Sequence, residues 1–183
     1  REAITEEKQG ALVIVVLDAS GSMGASRRVE AAKGLVLTLL TEAYQRRDRV
    51  ALVTVGGGTA QVVMRPTASV EVARARLDAV TTGGTPPLAE GINAAADLAE
   101  SSGALAARVV LITDGRATEG GTDPVAEAQA AAGRLAGVPT IVVDAEEASP
   151  RLGLAATYAA AAGGDLVSLA ELESQPLRVG LGQ

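Results

Sequence analysis

Cysteine and histidine are both missing from this chain of 183 residues, and the two absences remove whole classes of chemistry. Without cysteine there are no disulfides and no thiolate catalysis. Without histidine there is no His/Cys zinc site and no Ser-His-Asp triad. Any metal must be held by oxygen, which favours magnesium, with manganese or calcium as the other candidates. Phenylalanine and tryptophan are absent too, and only Tyr44 and Tyr158 are aromatic, so packing must rest on Ala, Val, Leu and Ile. A net charge of −6 offers no basic face, and no nucleic-acid partner is expected. No apolar run reaches the ~18 residues of a membrane span. The first ten residues, REAITEEKQG, are too polar for a signal peptide, so the expected location is cytoplasmic. The chain opens on Arg1, not Met, and is expected to be excised from a longer one.

What is present is a regular alternation of apolar runs and amphipathic stretches. Residues 11–17, ALVIVVL, read as a strand buried on both faces. Residues 26–46 read as a helix, with Val29, Ala32, Val36, Leu39 and Ala43 at helical spacing. A strand at 49–55 and a partner at 59–64 are joined by Gly56-Gly57-Gly58, too short for a parallel crossover. Ser69 caps a helix carrying Val70, Ala73, Leu77 and Val80. After the loop TTGGTPP (81–87) comes a helix from Leu88 to about Glu100, and then a buried strand, RVVLIT, at 108–113. Asp123-Pro124 opens a helix to about Ala136, followed by a strand at 138–143. Ser149-Pro150 begins one more helix, stopped by Gly163-Gly164, and 165–169 is a last short strand. The tail from Ala170 onward carries no clear pattern. This order implies a doubly wound α/β fold: a mainly parallel sheet, one antiparallel edge strand, and helices on both faces. The organisation expected is a polar lead-in at 1–10 and a single domain over 11–183.

In such sheets a ligand sits beyond the carboxyl ends of the strands, where strand order reverses. Two strands end in acid there, one at Asp18 and one at Asp114. The loop holding Gly83, Gly84 and Thr85 should lie at the same end. Asp18, Ser20, Ser22, Thr85 and Asp114 are thereby brought together, with alternate spacing in an extended loop turning the first three to one side. Two carboxylates and three hydroxyls suit a hard divalent cation, magnesium before calcium. Enzyme motifs fit poorly. Neither Ser20 nor Ser22 sits in a G-x-S-x-G elbow, and no phosphate-binding loop is present. An Asp-dependent phosphotransferase remains as an alternative, although it wants a second acid two residues after Asp18, where Ser20 stands.

DASGSM, followed by GGT and TDG, resembles the von Willebrand factor A (integrin I) family, whose metal-ion-dependent adhesion site reads D-x-S-x-S, then a distant Thr, then a distant Asp. Residue by residue, Asp18, Ser20 and Ser22 match the first element, Thr85 the second and Asp114 the third. The stretches AAKGLVLTLLTEAYQRRDRVALVTVGG and LITDGRATEGG look like the C-terminal domain of the magnesium chelatase D subunit and of related cobalt chelatase subunits. One departure stands out. The family places Leu two residues after its Thr, whereas Thr85 lies three before Leu88; an ungapped match puts Pro86, which has no side-chain oxygen, at that place. Either the loop shifts so that Thr85 still reaches the ion, or water takes its position.

The resemblance implies a protein-interaction platform within an ATP-driven machine that inserts magnesium, or cobalt, into a tetrapyrrole. The bound ion would be completed by an Asp or Glu carboxylate from a partner, either the AAA+ ATPase subunit or the large porphyrin-binding subunit. The domain itself would not be catalytic. Arg116, just past Asp114, could pair with the incoming acid or with an acidic neighbour. An extracellular adhesion domain of the same fold is the other functional reading.

Overall fold

A computed structural model describes residues 10–24, 27–103 and 106–174. The expected lead-in at 1–10 therefore lies almost wholly outside the described residues, as does the end of the tail. The chain runs β1 (Leu12–Asp18), α1 (Gly21–Gly24), α2 (Arg28–Gln45), β2 (Arg49–Gly56), β3 (Thr59–Thr67), α3 (Val70–Asp78) and α4 (Leu88–Glu100). It continues through β4 (Ala107–Thr113), α5 (Pro124–Gly133), β5 (Thr140–Asp144), α6 (Leu154–Ala162), β6 (Asp165–Ser168) and α7 (Leu169–Ser174). The strands form one sheet in the order β3-β2-β1-β4-β5-β6. Among the described residues only β2 and β3 pair antiparallel; the other neighbours are parallel. The doubly wound sheet with an antiparallel edge strand is thus present as expected.

Strand β1 lies at the centre and is buried along its whole length. Its side chains alternate between two cores, as the two-residue period of a strand requires. Ile14 and Val16 pack with Leu88 and Ile92 of α4 and with the small residues of α5 and α6. Val13, Val15 and Leu17 pack on the other side with Met23, Val29, Val36 and Leu39, and with Leu169 and Leu172 of α7. The chain leaves β1 toward β2 on one side and returns to β4 on the other. Their carboxyl ends therefore part, leaving the crevice where this class of fold binds its ligands.

Two helix boundaries differ from the sequence reading. The helix expected from Ser149-Pro150 starts at Leu154. Glu146 accountably holds the intervening loop: its carboxylate accepts the N–H groups of Leu152 at 2.7 Å and Gly153 at 2.9 Å. Gly153, at φ +66°, then turns the chain into α6. The helix expected to reach about Ala136 is regular only to Gly133, and residues 134–136 continue as tighter i→i−3 turns. The described start of the unpatterned tail, 170–174, belongs to the short helix α7.

Helix α4 reaches the sheet through Gly91. A Cβ there would lie 2.3 Å from Val55 Cγ1 and 3.5 Å from Val16 Cγ1. Gly91→Ala is therefore expected to destabilise the fold by about 1–3 kcal/mol, although alanine is the better helix former by about 1 kcal/mol. Denaturant titration of Gly91→Ala alone and with Val55→Ala checks this. Partial recovery in the double variant is the expected result, and a single variant as stable as the wild type would refute the close approach.

Candidate metal centre

The crevice is built from three loops. The first follows β1, where Asp18 is fully buried. Its Oδ1 accepts the N–H of Ser20 at 2.9 Å and its Oδ2 accepts the hydroxyl of Thr113 at 2.7 Å. The backbone is extended only as far as Asp18. From Ser20 it winds into the single turn α1, with the N–H groups of Met23 and Gly24 donating to the Ser20 carbonyl, which corrects the extended loop expected here. The turn still gathers the hydroxyls, and Ser20 Oγ lies 3.1 Å from Ser22 Oγ.

The third loop follows β4, whose register sets Ile112 opposite Leu17 and so carries Asp114 to the same end of the sheet as Asp18. Asp114 is buried. Its Oδ1 accepts the N–H of Arg116 at 3.1 Å, while its Oδ2 is buried without a hydrogen-bond partner among the described residues. Arg28 Nη1 lies 3.8 Å from that oxygen, too long for a hydrogen bond. Arg28 donates instead to the carbonyls of Ala145, at 2.9 Å, and Ser22.

Backbone bonds clamp the middle loop between the β1 loop and the β2–β3 turn. Gly83 N–H donates to the Ala19 carbonyl and Gly21 N–H to the Gly84 carbonyl, each at 3.0 Å. On the far side Gly57 and Gly58 donate to the carbonyls of Gly83 and Thr85, at 2.8 and 3.0 Å. Gly84 stands at φ +62°, and a Cβ there would strike Gly57 Cα at 2.5 Å. Pro86 and Pro87 are buried and Thr85 is exposed. The Thr85 hydroxyl donates to Glu119 of the Asp114 loop, so the shifted sequence leaves a hydroxyl, not a proline, at the rim.

Electrostatically the crevice sets two buried acids near each other. Burial, first of all, pushes the Asp18 carboxyl up to about 6 from 3.8; hydrogen bonds from Ser20 and Thr113 oppose this, and the charge of Asp114 adds to it. A buried acid beside another acid, together with an orphaned carboxylate oxygen and two adjoining serine hydroxyls, is a donor set that fits a hard divalent cation. Among the described residues no group of three or more Asp, Glu, His or Cys gathers anywhere, so an ion here would meet two carboxylates and neutral oxygens. Arg116 is exposed, and its charge acts on Glu146. Burial would raise the Glu146 carboxyl, but the Leu152 and Gly153 N–H groups and the charges of Arg151 and Arg116 hold it below its ordinary range.

The profile of the von Willebrand factor type A domain matches residues 13–116, more than half of the chain. The chain belongs to that family. This A domain is 46% identical over 182 residues to an uncharacterized protein of Mycobacterium tuberculosis, covering 97% of the chain and 29% of that protein. It is 49% identical over 112 residues to the magnesium-chelatase 67 kDa subunit of Heliobacterium mobile, covering 60% of the chain and 17% of the subunit. The A domain thus spans less than a third of either relative. Among solved structures, the vWF domain of the type V pili tip protein of Porphyromonas gingivalis superposes with a TM-score of 0.72 at 13% identity, covering 95% of this chain and 97% of that one. That likeness concerns the fold alone.

The A domain also uses residues that sequence reasoning did not single out. Thr113 relays Asp18 to the Gly115 N–H, which donates to its hydroxyl at 3.0 Å. Tyr158 donates its hydroxyl to the Gly115 carbonyl at 2.8 Å and pins the turn after Asp114. Arg28 and Glu119 complete the set. Thr113 had a signal in the sequence, because parallel pairing of two strands that both end in acid sets it beside Asp18. The other three are brought in by helices and a loop whose approach no local pattern encodes.

Proposed function

We propose that this A domain is a magnesium-dependent protein-interaction module of a chelatase subunit, part of a machine that inserts magnesium or cobalt into a tetrapyrrole. The observation that carries the metal half is the buried Oδ2 of Asp114, which has no hydrogen-bond partner among the described residues, beside the buried Asp18 carboxyl, whose acidity burial weakens. The similarity to the magnesium-chelatase 67 kDa subunit supports the chelatase half. Asp18, Ser20, Ser22, Thr85 and Asp114 would hold the ion, with manganese or calcium as substitutes. When bound, the cation supplies an electrophilic point to which a partner's Asp or Glu carboxylate can add. The partner is the AAA+ ATPase subunit, or the large porphyrin-binding subunit, and the setting is the cytoplasm. No described helix is long and apolar enough to cross a membrane.

The chain's own residues do the preparatory work. Thr113 and the Ser20 N–H fix the Asp18 carboxylate, and Arg28 balances part of the Asp114 charge. Backbone bonds hold the middle loop over Ser20 and Gly21. Titration calorimetry should show magnesium binding to the wild type and at least a tenfold loss, about 1.4 kcal/mol, in Asp18→Ala. Equal affinity in the variant defeats the site. Retention of the purified ATPase subunit on the immobilised domain should require magnesium and end with chelator. Chelator-resistant retention would defeat the metal-bridged interface.

A further inference from the structure

We propose that Glu119 is a positioning residue of the metal centre: it takes the proton side of the Thr85 hydroxyl and so turns the oxygen lone pairs toward the ion. The inference rests on the metal reading above. A threonine hydroxyl has one hydrogen to give and two lone pairs to offer. With the hydrogen committed to Glu119, the oxygen can serve only as an acceptor or a ligand, and a carboxylate behind it makes it a better one.

Both partners are held in place by something other than each other. The carbonyl of Thr85 and that of the preceding Gly84 are bonded to Gly58 and Gly21, and the chain beyond is anchored by buried Pro86, Pro87 and Leu88. The loop carrying Glu119 is tied at Asp114 by the Arg116 N–H. It is tied again at Gly121, whose N–H donates to the Glu127 carboxylate at 2.9 and 3.0 Å. Among the described residues Glu119 forms no ion pair, while other surface acids such as Asp97 and Glu100 do, with Arg134. It accepts instead from a neutral hydroxyl at the rim of the crevice. Nor does it gather with Asp18 and Asp114 into a three-acid group, so it acts through Thr85 and not as a third carboxylate ligand. This contact also answers the irregular spacing of GGTPPL: the displaced Thr is recovered by a glutamate on the opposite loop.

The test is magnesium titration calorimetry on the wild type and on Glu119→Ala, Glu119→Gln, Thr85→Ala, Thr85→Ser, the Glu119→Ala/Thr85→Ala double variant and Asp18→Ala. Both residues are exposed, so thermal melts of the metal-free variants should match the wild type. Glu119→Ala should weaken magnesium binding about tenfold, and Thr85→Ala by a similar factor. The double variant should be no weaker than Thr85→Ala alone. Glu119→Gln keeps an acceptor oxygen and should recover part of the loss; Thr85→Ser should bind as the wild type does. Wild-type affinity in Glu119→Ala overturns the inference, as does strict additivity in the double variant, which would mark a distant charge effect. If Asp18→Ala abolishes binding while Glu119→Ala does not, only this inference falls. If the wild type binds no magnesium, the metal reading falls and takes it along.

Discussion

Asp18→Asn should melt at a higher temperature than the wild type in metal-free buffer at pH 7.5, and should lose all response to magnesium. The buried Asp18 carboxyl holds its proton to about pH 6, against 3.8 when unperturbed. The sign follows directly. Between those values the folded state binds more protons than the unfolded one, so the metal-free fold loses stability as pH rises through the window. Above about pH 6 the penalty is complete, on the order of 3 kcal/mol at ~1.4 kcal/mol per pK unit. Asparagine removes the charge and keeps most of the shape, recovering about 1–3 kcal/mol, or roughly 2–4 °C for each kcal/mol in a domain of this size. Magnesium should close the gap from the other side by stabilising only the wild type, by about 2.7 kcal/mol at a hundred times its dissociation constant. Melts at pH 5 and 7.5, with and without magnesium, check both halves, and the two proteins should converge toward pH 4. An asparagine variant less stable than the wild type in metal-free buffer at pH 7.5 would refute the account.

Tyr158→Ala should be the most damaging single truncation in the core, costing about 3–5 kcal/mol. Tyr158 is wholly buried and heads the largest buried side chains, and no phenylalanine or tryptophan exists to share its role. Its core is lined by Ala128, Ala131, Ala132, Ala155, Ala159 and Ala162. Alanines cannot swing into a vacated space, so the cavity would persist. The loss also strands the Gly115 carbonyl that the tyrosine hydroxyl serves. Burial pushes that hydroxyl up to about 12, with the charges of Asp114, Asp18 and Asp123 adding, so it remains a donor throughout the working range. Tyr158→Phe isolates the hydrogen bond at about 1–2 kcal/mol. Denaturant titration of both variants checks the ordering; an alanine variant within 1 kcal/mol of the wild type would contradict it.

Much of the fold was legible because the core elements obey their periods without exception. ALVIVVL carries no polar alternation and is buried on both faces. The stripe from Val29 to Ala43 is the buried face of α2. Ser69 and Asp123 cap their helices through side-chain oxygens, as their positions suggest. The reading failed where a distant group decides the outcome. Ser149-Pro150 has the local chemistry of a helix start, yet Glu146 takes the backbone N–H groups further on and delays the helix to Leu154. In the crevice, the oxygen donors could be gathered from strand ends and loop order. The cation facing Asp114 and the carboxylate behind Thr85 could not, since Arg28 meets Asp114, and Glu119 meets Thr85, only across a long stretch of sequence. Arg116 is exposed, and its charge is one of those that lower the Glu146 carboxyl.

The middle loop is held at Ala19, Gly21, Gly57 and Gly58 by main-chain bonds alone. Scaffold and donors are therefore separable: side chains at the rim can be exchanged without dismantling the frame that presents them. The same frame would therefore present other rim side chains, and with them another chemistry, without a change of fold.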